Sequence, residues 1–488
     1  MKKKLSVILS IAVMLATMNI GVMAVSADEP YTVKVVCVGD ATTEACQAVS
    51  EAVSEITMEK YGVKVELQRL SYGSFHDEVN LMLASGEKLD LFPNFVFSTM
   101  SASRTGQIIA LDDLLEEYGK DILEIVPEED WGVETFDGQI YAVPNGKEHA
   151  EGFGFVCRTD MLEALEYDTS KIKTDEDVED LLKAVKEKYP DVYPLVSDNG
   201  QIGYYMGHKD DLGGDYGVLV DCIEENYTVE NWYESDAYRE LVERRYRWAQ
   251  EGLIMPDAQT NTQNAYDLIG AGKAFGYYGN TKPGIESEWE RKAGVPMTMI
   301  EIATPYRTSA TGMNCWFIAH NSEQPDKAMM VLNEMRCNPE VSELFINGIE
   351  GVNYVKNGDV LTYPEGVDAS NTSYSSAGWV WPNEFISTPW EADGPDIWKD
   401  TEAFNDIAEL SVAFGFNWNS EDVLTEVTAC NNVTAKYADA LLCGALDPDT
   451  AIDKFVEELK DAGVDDIIAE KQRQLDEWLK ETGKTVSE

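Results

Sequence analysis

The sequence lacks the short motifs that mark common enzyme and metal sites. It contains no G-x-S-x-G and no H-E-x-x-H motif, which argues against a serine hydrolase and a zinc protease. No C-x-x-C pair and no D-x-[DN]-x-[DN]-G loop occurs, so a zinc ribbon or a calcium loop is not expected. No G-x-G-x-x-G or G-K-[ST] motif follows the first predicted strand, which argues against a phosphate cradle. The sequence therefore predicts no enzyme activity, no cofactor and no bound metal ion.

Basic residues are also scarce. The chain of 488 residues has 38 Lys and Arg against 89 Asp and Glu, which gives a formal net charge of −51. Such an acidic surface repels nucleic acid and anionic membranes, and it repels copies of the same chain. We therefore expect no nucleic-acid partner and a monomer.

The N-terminus has the pattern of an export signal. Residues 2–4 are lysines, residues 5–18 form an apolar run, and Val25 and Ala27 are small residues at the −3 and −1 positions of a cleavage site before Asp28. The apolar run is short for a membrane span, so residues 1–27 are predicted to be a cleaved signal peptide.

No later stretch of the chain reaches the length of a membrane span. We therefore expect an extracytoplasmic protein, either secreted or associated with the cell surface, with a periplasmic location as the alternative. Its eight cysteines are scattered through apolar contexts, and no disulfide can be assigned from their spacing.

The remaining chain is too long for one ordinary core, so two or more lobes are expected. A valine-rich strand over residues 31–38, a helix that ends near Gly62 and a strand over residues 63–70 form a βαβ unit, which predicts a parallel sheet. Residues 136–145 contain an Asp-Gly turn, a short apolar strand and Pro144, which ends the strand. This stretch fits either a plain hairpin or a passage of the chain from one lobe into another.

Several segments resemble, in the same order, the bacterial extracellular solute-binding proteins of ABC importers for sugars. The resemblance covers nearly the whole mature chain and rests on an ordered set of individually weak motifs. These are the A-S-G-E passage of residues 83–90, the Asp-Gly crossing of residues 137–144, the R-x-D-x-L helix start within residues 153–165, the P-D-K-A helix start within residues 317–328, the G-I-E-G turn of residues 348–354, and a C-terminal extension from residue 427 that is typical of binding proteins for complex saccharides.

The resemblance implies a two-lobed α/β fold of the periplasmic-binding-protein type II class, with a mostly parallel sheet flanked by helices in each lobe. The lobes are predicted to comprise residues 28–143 plus 281–311 and residues 144–280 plus 312–488. They would close like a hinge on a mono- or oligosaccharide and deliver it to ABC permease subunits. Members from Gram-positive bacteria usually carry a lipobox cysteine, but residues 15–30 contain no Cys, so lipid anchoring is not expected.

A saccharide site pairs flat aromatic rings with side-chain amides and carboxylates, because a sugar presents apolar C–H faces and many hydroxyl groups. Residues 378–390 contain three tryptophans beside Pro, Gly and polar residues, without helical spacing, which favours a loop that displays aromatic rings, although tryptophans buried under a loop would give the same pattern. The candidate ligand-binding residues are Asp40, Tyr72, Asn94, Asn145, Tyr278, Asn280, Trp379, Trp381, Asn383, Glu384 and Trp390, with Trp418 as a second-rank candidate.

Two other functions are compatible with an exported acidic chain. A glycoside hydrolase needs two carboxylates at a defined separation, and a chain with so many acids provides such pairs anywhere, so neither Glu148 nor its neighbour His149 is assigned a role. A cation-binding surface protein is suggested by acidity alone. Both functions remain alternatives to the saccharide-binding hypothesis.

Overall fold

The computed structural model describes residues 29–203, 205–214, 216–309 and 314–484. The predicted signal peptide, residues 1–27, lies outside this part of the chain. Among the described residues, no helix combines the length and the apolar character that crossing a membrane requires.

The structure contains α-helices, strands and short 3₁₀ turns. The strands, numbered in chain order, are β1 Thr32–Val38, β2 Lys64–Leu70, β3 Leu91–Pro93, β4 Thr135–Phe136, β5 Gln139–Ile140, β6 Glu151–Arg158, β7 Tyr193–Leu195, β8 Lys209–Asp210, β9 Leu219–Val220, β10 Ala274–Thr281, β11 Met297–Arg307, β12 Trp316–Ile318, β13 Val355–Asn357, β14 Val360–Thr362 and β15 Glu409–Leu410. The helices are α1 Thr43–Tyr61, α2 Phe75–Ser85, α3 Thr99–Arg104, α4 Asp112–Tyr118, α5 Lys120–Ile125, α6 Thr159–Leu165, α7 Val178–Lys188, α8 Asp236–Gln250, α9 Ala265–Gly270, α10 Ile285–Ala293, α11 Pro325–Cys337, α12 Pro339–Asn347, α13 Ile397–Asp406, α14 Leu424–Leu442, α15 Pro448–Asp461 and α16 Val464–Thr482.

The first sheet has the strand order β12-β3-β1-β2. β1 runs parallel to β2 and β3, whereas β12 is antiparallel to β3. The predicted βαβ unit is confirmed as β1–α1–β2. Helix α1 begins where the Thr42 side chain accepts a hydrogen bond from the Ala45 backbone N–H at 3.2 Å, and it ends at Gly62, whose φ of 66° is a left-handed conformation that glycine adopts without strain.

The second sheet has the order β15-β11-β6-β10-β7. Its central strand β6 is antiparallel to both neighbours, β10 and β11, while β7 and β15 pair in parallel at the two edges. The prediction of a mostly parallel sheet therefore holds for the first lobe, and the second lobe has a mixed sheet. Helices cover both sheets, so the predicted two-lobed α/β architecture is present.

Two segments of the chain were predicted to belong to the wrong lobe, one of them in part. Residues 281–311 were assigned to the first lobe, but β11 pairs along its length with β6 of the second sheet. Residues 312–488 were assigned entirely to the second lobe, but β12 pairs with β3, and residues from β12, α11, α12 and the following loop up to Trp381 are buried in the core of the first lobe. Hydrophobic pattern identifies a buried strand, but it does not identify the sheet that the strand joins.

The chain passes between the lobes three times. The Asp137-Gly138 turn, with φ of 52° and 75°, closes the β4–β5 hairpin, and after Pro144 the chain enters β6. Both interpretations of this stretch were therefore correct, since the hairpin directly precedes the first crossing. The second crossing lies between β11 and β12, and the third runs through α13 to β15.

The C-terminal helices α14, α15 and α16 pack with α8 and residues near β8 and β9, on the second lobe. α15 begins at Asp447, whose carboxylate accepts from the Asp449 N–H, with Pro448 in the first turn. None of the eight cysteines, all of which lie in the described part of the chain, forms a disulfide, and seven of them are buried.

Lys471 attaches the loop of residues 211–217 to α16. Its side chain is fully buried, and its ammonium group donates hydrogen bonds of 2.8 Å to the carbonyl oxygens of Asp211, Gly214 and Gly217. The same ammonium lies 4.5 Å from the centre of the Trp418 ring. A buried charge of this kind is tolerated only because the carbonyl groups replace its water shell.

We predict that Lys471→Met lowers the free energy of unfolding by about 3 kcal/mol, because one buried and two partly buried carbonyl groups lose a charged donor. Chemical denaturation measures the loss. The matched control is Lys480→Met on the exposed face of the same helix, which should change stability by less than about 0.5 kcal/mol. Equal effects of the two substitutions would contradict a structural role for the buried ammonium.

Candidate functional site

Two adjoining cavities lie between the lobes. One, which we name the charged cavity, has a volume of about 270 Å³ and is lined mainly by the crossing segments. The other, the aromatic cavity, has a volume of about 510 Å³ and lies between residues 376–398 and the start of α10. Glu148, Lys282 and Glu288 line both cavities, so the two form one continuous cleft.

Aromatic side chains form the first-lobe wall of the aromatic cavity. Trp379 is half-buried, and its ring stacks on Tyr72 at 6.2 Å with an interplanar angle of 17°, while Phe95 packs against both rings. Trp390 packs on Tyr363 at 4.5 Å. Trp379, Trp390 and Tyr363 line the cavity and offer flat apolar faces to a ligand.

Hydrogen bonds fix the orientation of this aromatic wall. The Trp390 indole N–H donates to Asn347 Oδ1 at 3.0 Å, and the amide of Asn145 donates to the carbonyl of Trp379 at 3.3 Å. Asn145 belongs to the first crossing, so the position of the Trp379 backbone is tied to the segment that joins the lobes.

Ionised and protonated groups meet where the two cavities join. Lys147 Nζ lies 3.2 Å and Lys282 Nζ 3.6 Å from Glu148 Oε1, and a hydrogen bond links the Glu148 and Glu384 carboxyl groups. Burial raises the pKa of Glu384 well above its usual range, and the Glu148 charge raises it further. Burial would also raise the pKa of Glu148, but the two lysines outweigh it and lower the pKa. The environment therefore favours the protonated form of Glu384 and the ionised form of Glu148.

A buried ion pair crosses the floor of the charged cavity. The Arg307 guanidinium, at the end of β11, donates to Asp130 of the first lobe, and His149 Nδ1 lies 3.6 Å from the other oxygen of the same carboxylate. Burial lowers the pKa of His149 to about 4 despite the neighbouring Asp130 charge, so the imidazole is neutral at physiological pH. Its Nε2 lies 3.0 Å from the Asn145 carbonyl oxygen, which requires the proton on that nitrogen.

Glu134 is a second buried acid at this cavity. Its side chain is 2% exposed, and its Oε2 atom has no hydrogen-bond partner among the described residues. Burial raises the pKa of Glu134 to about 7, although Thr99 and the Cys315 thiol hydrogen bond to the carboxyl group and lower it. The acid is therefore poised between its neutral and charged forms near physiological pH.

The structure brings five of the predicted ligand residues to the cleft. They are Asn145 and Asn280 at the charged cavity and Trp379, Glu384 and Trp390 at the aromatic cavity. Tyr72 lines neither cavity but stacks on Trp379. Asp40 is exposed in the loop after β1 and lines neither cavity.

Three predicted residues are corrected to structural roles, whereas Tyr278 also lines a small cavity of the second lobe beside Asn280 and stays a prediction. Trp381 is 1% exposed and packs in the first-lobe core between Trp316 and Phe345. Tyr278 is buried, and its hydroxyl donates to Asp175.

The other two corrections concern side-chain amides. The buried Asn383 amide donates to the Arg336 carbonyl at 3.0 Å, and the buried Asn94 amide donates to the Thr99 hydroxyl at 3.4 Å. The second-rank candidate Trp418 packs on Lys471, away from both cavities.

Sequence reasoning missed most of the charged groups. Lys282 follows β10 in a turn, and neither this residue nor Glu288, Arg307 or Trp398 belongs to a recognisable motif. Glu148 was judged incidental. The one available signal was its position just after the predicted crossing, because crossing segments border the cleft in a hinged two-lobed fold.

We predict that Glu134→Gln changes the pH dependence of stability. Between its unfolded pKa of about 4.3 and its folded pKa of about 7, the folded chain keeps a proton that the unfolded chain has released, so the free energy of unfolding falls as the pH rises. The amide carries no charge, so the variant should be more stable than the wild type at pH 8, by up to about 3 kcal/mol, with a smaller advantage at pH 5.

Urea denaturation at pH 5 and pH 8 measures this difference. Glu457→Gln, at an exposed position of α15, serves as the control and should follow the wild type at both pH values. A difference between Glu134→Gln and the wild type that is the same at pH 5 and pH 8 would show that the carboxyl group does not titrate in this range.

Comparisons with known proteins agree with this geometry. Residues 41–335 match the family described as bacterial extracellular solute-binding protein, and residues 412–480 match a domain of unknown function, DUF3502. A carbohydrate ABC transporter substrate-binding protein of Streptococcus pneumoniae is 27% identical over 474 residues, which cover 93% of this chain and 92% of the relative.

Solved structures of solute-binding proteins are also similar to this chain. The N-glycan transport solute binding protein NgtS from Streptococcus pneumoniae superimposes with a TM-score of 0.81 and 25% identity, covering 93% of this chain and all of that one. The complex of NgtS with Man5GlcNAc gives a TM-score of 0.68 at 24% identity, over 94% of this chain. Since the first family match spans more than half of the sequence, the chain belongs to the bacterial extracellular solute-binding proteins.

Proposed function

We propose that the protein captures a carbohydrate in the cleft between its lobes and delivers it to the membrane permease of an ABC importer. The observation that carries the proposal is the aromatic wall of Trp379 and Trp390, which faces the polar junction of Glu148, Glu384 and Lys282 across one cavity. The proposal is also supported by the relatives, which are named for carbohydrate and N-glycan transport.

The two sides of the cavity match the two kinds of surface that a sugar offers. The C–H face of a pyranose ring packs against a flat indole, and its hydroxyl groups exchange hydrogen bonds with carboxylates, ammonium groups and amides. Glu384 in its neutral form can donate a hydrogen bond, whereas the charged Glu148 can only accept. The pair can therefore serve a hydroxyl group as donor and as acceptor.

The protein acts outside the cytoplasm as a monomer in this proposal. Cleavage before Asp28 would release the mature chain without a lipid anchor, because no cysteine lies at the cleavage point. The alternative location is the periplasm. ATP would be hydrolysed by a separate cytoplasmic subunit, and the binding protein itself would carry out no reaction.

The geometry of the acids favours binding over glycoside hydrolysis. The two carboxyl groups of a glycosidase lie about 5–9.5 Å apart, with the sugar or a water molecule between them. The Glu148 and Glu384 carboxyl groups interact directly with each other, so this pair is not held apart around a sugar. Incubation with oligosaccharides should therefore release no reducing sugar.

We predict that Trp379→Ala weakens saccharide binding by one to two powers of ten, because the ring that faces the cavity is lost. Isothermal titration calorimetry measures the affinity for the saccharide that raises the melting temperature most in a glycan library screen. The control is Tyr193→Ala, which removes a 40% exposed aromatic ring outside the cleft and should leave affinity unchanged. Unchanged affinity of Trp379→Ala would remove this residue from the site.

We also predict that the lobes close on the ligand. A saccharide that contacts both lobes binds the closed form better than the open form and so shifts the hinge equilibrium toward closure. Small-angle X-ray scattering should show a smaller radius of gyration at saturating ligand. An unchanged radius would indicate binding without closure.

A further inference from the structure

A third cavity continues the cleft along the second lobe. It has a volume of about 220 Å³ and shares Asn280 and Ile285 with the charged cavity. The aromatic, charged and third cavities therefore adjoin one another in turn, with the charged cavity in the middle, and together we call them the groove.

The topology explains why a cavity forms at this place. β7 and β10 are adjacent and parallel, so their carboxyl ends lie at the same edge of the sheet. The loop after β7 contributes Asp198 and Gln201, and the end of β10 contributes Asn280. In open α/β sheets, ligands bind outside the carboxyl ends of parallel strands.

Tyr266 supplies an aromatic face in the third cavity. It is half-buried on α9, and the Lys292 ammonium group lies 5.6 Å from the centre of its ring. The start of α9 is fixed because Asp198 Oδ1 accepts a hydrogen bond of 2.9 Å from the Ala265 N–H. The residue is therefore held in place by contacts that do not depend on the aromatic wall of the first lobe.

Helix α10 borders all three cavities. Arg291 faces the aromatic cavity, Glu288 lies at the junction of the aromatic and charged cavities, and Lys292 faces the third cavity. Lys292 Nζ pairs with Glu288 Oε1 at 2.6 Å. This ion pair links the junction of the aromatic and charged cavities with the third cavity along one face of α10. One rigid element thus forms the second-lobe side of the whole groove.

The volumes indicate how the cavities are used. Ligand pockets measure roughly 300–1,000 Å³, and neither the charged cavity, at about 270 Å³, nor the third cavity, at about 220 Å³, reaches that range alone. Resting on the proposed function, we propose that Tyr266 forms a second sugar-stacking platform and that the protein selects oligosaccharides long enough to reach from Trp379 to Tyr266. A mono- or disaccharide would occupy only part of the groove.

The test combines ligand length with two variants. Affinities are measured by calorimetry for manno-, xylo-, cello- and malto-oligosaccharides of one to six units, and for Man1GlcNAc and Man5GlcNAc. For the series that binds, affinity should rise over several units. Tyr266→Ala should then weaken the longest probe by roughly tenfold and leave the shortest binding probe within twofold, whereas Trp379→Ala should weaken both.

Two controls separate stacking from folding. Tyr266→Phe keeps the ring and should bind the longest probe within threefold of the wild type. Tyr167→Ala removes another half-buried tyrosine that packs on the same second-lobe core and lines no part of the groove, and it should leave every affinity unchanged. The retained affinity of Tyr266→Ala for the short probe reports an intact cleft.

The outcomes distinguish this inference from the proposed function. Affinity that reaches its maximum at a mono- or disaccharide, or equal binding of all lengths by Tyr266→Ala and the wild type, would overturn the second platform while leaving carbohydrate binding intact. If no saccharide in the set binds, both the proposed function and the second platform are overturned.

Discussion

Buried polar contacts between the crossing segments determine where the cleft lies and what lines it. Asp130 pairs with Arg307 across the two lobes, and Asn405 in the third crossing accepts hydrogen bonds from the His149 and Ala150 N–H groups of the first crossing. Leaving these groups buried without their partners would cost free energy, so we expect the crossings to stay together in the proposed closure of the lobes. The floor of the cleft and the hinge are therefore built from the same residues, and a ligand that reaches this floor acts directly on the hinge.

Much of the fold was predictable because its signals are local. The helix end at Gly62 and the Asp137-Gly138 turn both depend on residues within a few positions of each other, and both are present. The partition of the later chain between lobes was not predictable, because the residue pattern of neither β11 nor β12 indicates which sheet the strand joins. Their sheets are decided by pairing with β6 and β3, which lie more than a hundred residues earlier in the chain.

The candidate site was also predictable only where its signals are local in the sequence. Sequence reasoning located the tryptophan-rich loop, but it could not tell that Trp379 and Trp390 line a cavity while Trp381 fills the core. In an irregular loop no period relates neighbouring side chains to one face, so burial depends on the elements that pack against the loop. Glu384 was among the predicted residues, but its partners Glu148 and Lys282 were missed because the three meet only in the folded chain.

The groove also connects ligand size with the hinge. A ligand shifts a two-state equilibrium only by the difference between its affinities for the two states. A sugar that touches only the Trp379 wall makes the same contacts in the open and closed forms, so it gains little from closure. A longer chain that also meets α10 and Tyr266 gains second-lobe contacts only when the lobes approach. The proposed selection by length and the proposed closure of the cleft would thus be two consequences of one arrangement, in which the aromatic wall lies on one lobe and α10 lies on the other.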